Sequence, residues 1–334
     1  MVRIRICAIF TLFLLSLFAL ASSAQEIPGI SSPATIVPTS QLPRPRESVT
    51  LNLQSFNLDL NKSLITWTVD GKIVLRGTGM RSATVVAGEL GTKKSVVATI
   101  STDDGEYVAS FNIVPGELSL LWEAATYVPP FYKGKALHSH GGLYKVTVVP
   151  ALYSPSGKLH DPKTLIYTWK KNGAIDSAYS GYGKSSYTGS HTSFIREGDE
   201  ISVDIASSDG SSSATKSVII APVTPEAHLY EDSPLYGIRY EKSLADTIFL
   251  FDEEISLAAE PYFFSTKDKT SSILSFDWAI NDNPVVDFSG RESITLRRPQ
   301  GGAGAAQVAI SIGNSYKLLQ GANHNLIIRY DQAR

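Results

Sequence analysis

Cysteine is nearly absent from this 334-residue chain, because Cys7 is the only one and it lies among the first 24 residues. The remaining residues contain no thiol and can form no disulfide. Extracellular domains of eukaryotes often depend on disulfides, so an exported chain without them is typical of bacteria. Its domains must be held together by packing and hydrogen bonds.

Long apolar runs are also absent, except at the N-terminus. Arg3 and Arg5 precede the almost wholly apolar residues 6–21, and the small residues 22–24 suit a signal peptidase. We predict a cleaved signal peptide over residues 1–24 and an exported mature chain, at the cell surface, outside the cell or in the periplasm. An uncleaved anchor is the alternative, but the apolar segment falls short of the ~20 residues of a spanning helix. We expect no transmembrane helix in the mature chain.

An excess of positive charge is missing too. Lysine and arginine number 30 against 32 aspartate and glutamate, which gives a formal net charge of −2. Loss of Arg3 and Arg5 with the signal peptide makes the mature chain −4. Nonspecific nucleic-acid binding needs clustered basic residues, so no nucleic-acid partner is expected.

Catalytic motifs are likewise absent. The sequence contains no Gly-x-Ser-x-Gly elbow, which a serine hydrolase of that type requires on a strand-to-helix turn. It also contains no Gly-x-x-x-x-Gly-Lys-Ser/Thr loop to hold a nucleotide phosphate. We predict that the protein is not an enzyme, with no catalytic residues and no cofactor.

What the sequence does contain is a repeated tryptophan. Trp67, Trp169 and Trp278 are 102 and 109 residues apart, and each follows alternating apolar and polar residues. Each is followed by residues that supply the positive φ angles of tight hairpins. These turns are Asp70-Gly71, Asn172-Gly173 and Asn281-Asp282-Asn283.

This spacing is too long for a solenoid repeat and fits whole domains. The abundance of Thr, Ser, Val and Tyr favours β-structure. We place boundaries near Pro115-Gly116 and Pro222-Val223, and we expect the proline-rich residues 26–46 to form an extended segment or an edge strand. The predicted domains are residues 25–115, 116–222 and 223–334.

The tryptophan strands resemble those of a known family. Tyr167-Thr168-Trp169 with Asn172-Gly173, and the equivalent Thr66-Trp67 and Asp277-Trp278, are similar to tandem bacterial immunoglobulin-like domains related to polycystic-kidney-disease (PKD) repeats. The resemblance covers nearly all the mature chain. It implies an all-β fold of three tandem immunoglobulin-like β-sandwiches, of the kind used as spacers, adhesion units or assembly parts.

In an immunoglobulin-like sandwich, a large aromatic on the central strand fills the space between the two sheets. We therefore predict that Trp67, Trp169 and Trp278 are core residues. Stacking of these rings on a ligand is the alternative.

A second repeat lies at the starts of the second and third units. Residues 120–137 match residues 228–244 with a one-residue gap. We predict that this motif seals each domain against the one before it; docking of an external partner is the alternative. The motif residues are Trp122, Glu123 and Tyr132 in the first copy, and Tyr230, Glu231 and Tyr240 in the second.

The most suggestive surface is the tyrosine-rich stretch 178–190. Tyr179, Tyr182 and Tyr187 alternate with glycine and serine, and Lys184 lies among them. Antibody paratopes use this mixture of rigid aromatic and adaptable small residues. We predict a binding surface for a protein or glycan of the cell envelope. The alternative is an ordinary loop whose tyrosines cover the sheet.

Metal patterns are weak. His138 and His140 would lie on the same side of a strand and could share a metal, but His160 is the nearest further histidine. Acidic clusters at 103–104, 197–200 and 252–254 lack the spaced carboxylates of a calcium loop. We predict no metal site, while calcium at a domain junction stays open.

The sequence thus favours a non-enzymatic, exported rod that presents loops or sheet edges to a protein or glycan. One alternative is a subunit of a secretion or pilus-type assembly that binds by β-strand pairing. Another is a carbohydrate-binding module. The identity of the partner and the oligomeric state are not encoded in any recognisable motif.

Overall fold

The computed structural model describes residues 33–299 and 303–331. The predicted signal peptide, including Cys7, lies outside these residues. Within them, the chain consists of strands and loops, with two single-turn 3-10 helices at Pro162–Thr164 and Val286–Phe288. The predicted all-β fold of tandem immunoglobulin-like sandwiches is confirmed. No helix in the described ranges is long and apolar enough to cross a membrane.

The first sandwich has two sheets with the strand orders β1-β2-β5 and β4-β3-β6-β7. Because β1 pairs only with β2, the proline-rich segment contributes an edge strand, as predicted. The strands are β1 (Thr35–Pro38), β2 (Ser48–Gln54), β3 (Leu64–Val69), β4 (Lys72–Thr78), β5 (Ser82–Val86), β6 (Lys94–Thr102) and β7 (Gly105–Ile113).

The second sandwich repeats this arrangement. One sheet has the order β13-β9-β8, and the other has β11-β10-β14-β15 with β12 also paired to β10. The strands are β8 (Glu117–Ala124), β9 (Tyr144–Ala151), β10 (Ile166–Lys171), β11 (Ala174–Ile175), β12 (Gly181–Tyr182), β13 (Ser186–Gly189), β14 (Asp199–Ala206) and β15 (Ser213–Ile220).

The third sandwich contains sheets of order β17-β16-β19-β22 and β18-β24-β23-β20-β21. β18 joins the second of these sheets by pairing parallel to β24, so the chain changes sheets after β17. The strands are β16 (Glu226–Ser233), β17 (Gly237–Ile238), β18 (Thr247–Leu250), β19 (Glu254–Tyr262), β20 (Leu274–Ile280), β21 (Asn283–Pro284), β22 (Ser293–Arg297), β23 (Gly304–Asn314) and β24 (Gly321–Tyr330).

The three repeated tryptophans occupy equivalent strands, β3, β10 and β20, and their side chains are buried in the three sandwich cores. A buried indole needs a partner for its N–H group. Each indole Nε1 donates to a backbone carbonyl 2.8 Å away, on Met80, Lys184 and Arg291 respectively. The tryptophans therefore fill their cores without leaving a polar group unpaired.

The hairpin turns after the tryptophan strands have the backbone conformation that the sequence predicts. Asp70 and Gly71 have φ angles of 49° and 79°, and Asn172 and Gly173 have 52° and 82°. In the third unit Asp282 replaces the glycine, at φ 65°. Positive φ at both central residues matches the twist of the flanking strands and fixes their register.

Candidate functional site at the junction of the second and third sandwiches

The tyrosine-rich stretch forms a smaller surface than the sequence suggests. Tyr187 is only 3% exposed, and its ring lies 5.7 Å from the Trp169 ring and 4.8 Å from the Tyr179 ring. The prediction that Tyr187 contacts a partner is wrong, because its position on β13 directs it into the core. Tyr179 is half-buried against the same core.

Tyr182 and Lys184 remain at the surface. Tyr182 is 64% exposed, and the Lys184 Nζ donates to the Ala178 carbonyl at 2.7 Å. This hydrogen bond closes the loop on itself. Of the four predicted partner-binding residues, only these two lie where a partner can reach them fully.

The first copy of the repeated motif contacts the following sandwich, so the prediction that it seals the preceding one is wrong for that copy. The second copy does contact the preceding sandwich, because Tyr240 packs against Phe131. The Tyr127 amide donates to the Phe264 carbonyl, and the Phe263 amide donates to the Tyr127 carbonyl, both at 2.8 Å. The reason is the direction of β8, whose eight residues span about 27 Å at ~3.4 Å per residue. The residues after β8 therefore reach the opposite end of the second sandwich.

Trp122 and Glu123 do not take part in this junction. Trp122 packs against the core of its own sandwich, and the Lys135 Nζ lies 3.1 Å from the centre of its ring. Burial lowers the pKa of Lys135. Glu123 is exposed, and Glu231 lies 3.6 Å from Arg239 at the surface of the third sandwich.

The other three motif residues belong to an aromatic cluster at the junction. Tyr132 places its ring 5.6 Å from that of Tyr262 and 6.1 Å from that of Phe263, edge to face. Tyr230 shares a 2.6 Å hydrogen bond with the Tyr262 hydroxyl, and its ring lies 5.5 Å from Tyr240. The two copies of the motif therefore meet in one cluster.

Glu260 on β19 is a carboxylate with no solvent exposure that lies next to this cluster. It accepts hydrogen bonds from the hydroxyls of Tyr127 at 2.7 Å and Tyr240 at 2.9 Å. Lys269 supplies the neutralising charge, with its Nζ 2.5 Å from Oε1. Since Tyr127 comes from the second sandwich, this network joins the two sandwiches.

The tyrosines of this network are held in their neutral, donating form. Burial raises the pKa of Tyr127, and its hydrogen bond to Glu260 raises it further. Burial and the Glu260 charge raise the pKa of Tyr240 in the same way. Sequence reasoning missed Glu260, although it is the only charged residue in the apolar run 257–264.

A second polar connection lies around Gln320. Its Nε2 lies 2.9 Å from the Ser139 Oγ and donates to the His140 carbonyl at 2.8 Å. Its Oε1 accepts from the Ser265 amide at 2.9 Å. Because Ser139 and His140 belong to the second sandwich, a buried amide ties both units together.

A histidine cluster lies beside Gln320 within the second sandwich. His138 is fully buried, and neither ring nitrogen has a hydrogen-bond partner. Its ring lies 5.0 Å from that of Tyr144, whereas His140 faces His191 at 5.8 Å. In residues 33–299 and 303–331, no three His, Cys, Asp or Glu side chains are arranged to hold a metal ion.

Asp199 is the charged centre of this cluster. It accepts from the Tyr144 hydroxyl at 3.0 Å, from the Asn172 amide at 3.0 Å and from the Lys171 amine at 2.9 Å. The His191 Nδ1 lies 3.3 Å from Asp199 Oδ1, the oxygen that accepts from Asn172. Burial alone would raise the pKa of Asp199, but these hydrogen bonds lower it overall.

Acid should destabilise the second sandwich through His138. The pKa of His138 is lowered from 6.5 to about 4, and burial is the main cause. The charges of His191, His140 and Lys171 lower it as well, while the charge of Asp199 raises it. Between these pH values the unfolded chain binds a proton that the folded chain excludes. The free energy of unfolding should therefore fall by up to about 3 kcal/mol as the pH drops from 6.5 to 4.

Urea denaturation between pH 7 and pH 3, followed by tryptophan fluorescence, measures this loss. The control is His138→Phe, which should lose most of the decline between pH 6.5 and 4. It should keep the part that comes from His324 of the third sandwich, whose pKa burial also lowers. It should keep the loss below about pH 4 that comes from protonation of Asp199, whose pKa is lowered in the folded state. A wild-type unfolding free energy that stays constant from pH 6.5 to 4 would contradict the burial of a neutral His138.

Comparisons with known proteins add little to this geometry. No protein-family model matches the chain, and no curated protein matches it. Solved structures similar to it include three N-terminal domains of the bacteriophage RB49 highly immunogenic outer capsid protein, at 11% identity over 91% of this chain and 100% of that one, with a TM-score of 0.27. The central fibronectin-III array of RIM-binding protein is 11% identical over 90% and 97% of the two chains, with a TM-score of 0.29.

A third similar structure is the SGBP-B protein of a Bacteroides ovatus mixed-linkage glucan utilization locus, solved with a mixed-linkage heptasaccharide. It is 11% identical over 88% of this chain and 67% of that one, with a TM-score of 0.22. The fold assignment rests on the strand order and pairing described above.

Proposed function

We propose that this protein is a non-enzymatic, exported spacer of the bacterial envelope, whose second and third sandwiches act as one rigid unit. The observation that carries the proposal is the junction, where Glu260 and Gln320 form hydrogen bonds to side chains and backbone of the second sandwich. A hinge would expose such groups to water, whereas a fixed junction keeps them buried. A rod of this kind acts by geometry, because it holds a binding surface at a set distance and angle.

The chemistry of the buried charged groups supports a structural role. Asp199 and Glu260 are the buried carboxylates of the described ranges, and both are engaged by tyrosine hydroxyls and a lysine. A general base needs a carboxylate that a substrate can reach. Here the carboxylates are occupied by structural partners, as expected for groups that fix a conformation.

The finer parts of the proposal come from the sequence. They are the domain boundaries 25–115, 116–222 and 223–334, the relation to PKD-like repeats, and the signal peptide. Tyr182 and Lys184 are proposed as a partner-contacting surface of the second domain, facing a protein or glycan of the envelope.

Expression of the full chain in a bacterium, followed by cell fractionation and mass spectrometry, tests this function. We expect a mature protein that begins near Gln25 and is found in the envelope or the medium, because residues 1–24 have the three parts of a signal peptide. The control carries Leu14→Arg and Leu15→Arg in the apolar segment and should remain uncleaved in the cytoplasm. Recovery of the unaltered chain in the cytoplasm with residues 1–24 attached would contradict an exported spacer.

A further inference from the structure

An open cleft lies where the two copies of the repeated motif meet. Residues 129–133 of the first copy form one wall, and residues 238–241 of the second form the other. The cleft has a volume of about 610 Å³, within the range of small-molecule sites, which often lie at domain interfaces. Because each sandwich supplies one wall, the cleft exists only when the junction is formed.

Aromatic side chains dominate the walls. Phe131 is 87% exposed, and its ring lies 6.5 Å from that of Tyr240 at an angle of 57°. Phe131 also has a φ of 62°, a conformation that bulky residues rarely adopt. Phe131 therefore exposes a large apolar ring to water and also has an unfavourable backbone conformation. Neither cost is offset by burial of the ring in the protein itself.

The polar groups of the cleft carry opposite charges. Lys133 lines one wall and Glu241 lines the other. A hydrogen bond from its own backbone amide lowers the pKa of Glu241, and the hydrogen bond from the Arg239 Nε, 2.8 Å from Oε1, lowers it further. Glu241 is therefore a carboxylate at neutral pH. A ligand with a strong charge of either sign would be attracted by one wall and repelled by the other, so the cleft suits a neutral ligand.

The backbone of the first wall excludes one kind of peptide binding. Pro129 and Pro130 have no amide N–H, so this wall offers an extended peptide few of the donors that strand pairing needs. A polyproline peptide would pack on the rings but brings only carbonyl acceptors. It would add no donor for Glu241, whose Oε1 accepts from Arg239.

We propose that this cleft binds a neutral saccharide of the cell envelope. A sugar ring has an apolar face that can pack on Phe131 and Tyr240, and hydroxyl groups that can donate to Glu241 and accept from Lys133. A single sugar could therefore contact both the aromatic rings and the two charged side chains of the cleft. The inference rests on the proposed function, since it names the ligand class that a rigid envelope spacer would hold.

Isothermal titration calorimetry of residues 25–334 with neutral hexasaccharides tests the proposal. The probes are cellohexaose, maltohexaose, mannohexaose and N-acetylated chitohexaose. We expect at least one to bind, with an affinity at least tenfold weaker in Phe131→Ala and weaker in Glu241→Gln. The matched control is Tyr316→Ala, an exposed aromatic outside the cleft, which should bind as the unaltered chain does.

Three results would overturn the saccharide site. They are no binding of any probe at millimolar concentration, equal binding by Phe131→Ala, or binding of a decaproline peptide in place of every saccharide. Since Phe131 is exposed, its replacement should leave the unfolding midpoint unchanged, which separates lost binding from lost folding. If export and the rigid junction persist while no saccharide binds, only this inference fails and the spacer function stands.

Discussion

Replacement of Trp169 by alanine should lower the free energy of unfolding of the second sandwich by about 3–5 kcal/mol. The indole has no solvent exposure, packs against Tyr187 and donates to the Lys184 carbonyl at 2.8 Å. Alanine leaves a cavity between the sheets and a carbonyl without its donor.

Urea unfolding of residues 25–334, followed by circular dichroism, measures this effect. Tyr182→Ala is the control, because it truncates an aromatic that is 64% exposed on the same sandwich. It should change the free energy of unfolding by less than about 0.5 kcal/mol. A loss below 1 kcal/mol for Trp169→Ala would show that the ring does not fill the core.

Replacement of Glu260 by alanine should cost about 3–5 kcal/mol and loosen the junction. The change removes the acceptor of the Tyr127 and Tyr240 hydroxyls and leaves the partly buried Lys269 ammonium without its nearest counter-charge. Glu292, 3.6 Å from Lys269, compensates in part. Glu260→Gln should cost less, because its amide oxygen still accepts a hydrogen bond.

The matched control lies on the same strand. Glu254 on β19 forms a surface ion pair with Arg297 at 3.2 Å, and both side chains are more than half exposed. Glu254→Ala should change the free energy of unfolding by less than about 1 kcal/mol. Calorimetric unfolding compares the two variants, and equal effects would contradict a special role for the buried carboxylate.

Local features of this fold could be predicted because they depend on neighbouring residues. The strands around Trp67, Trp169 and Trp278 follow from alternating apolar residues, and the hairpins follow from residues that accept positive φ. The edge strand β1 follows from proline in the same way. Each of these signals lies within about ten residues of the feature it specifies.

Features that join distant parts of the chain were harder to predict. The glycine and serine residues around Tyr187 predict a loop, but the pairing of β13 with β9 directs the Tyr187 side chain into the core. The direction of the junction depends on which end of β8 faces the third sandwich, and that is a property of the whole sandwich. His191 is 53 residues from His138, so no local pattern links them.

Glu260 shows the limit most clearly. Its position in an apolar run marks it as unusual, but its partner Tyr127 lies 133 residues earlier in the sequence. A buried carboxylate is stable only with such partners, so the sequence signals that partners exist without naming them. The contacts of the junction could therefore be identified only from the tertiary structure.

The rigid pairing of the second and third sandwiches can be measured directly. Residues 25–334 contain no cysteine, so Ser217→Cys and Ser311→Cys introduce spin labels at single exposed sites on the two sandwiches. Double electron–electron resonance should give one narrow distance distribution for this pair, and a broader one after Glu260→Ala. A broad distribution in the protein with Glu260 intact would show that the junction is a hinge and would contradict a rigid spacer.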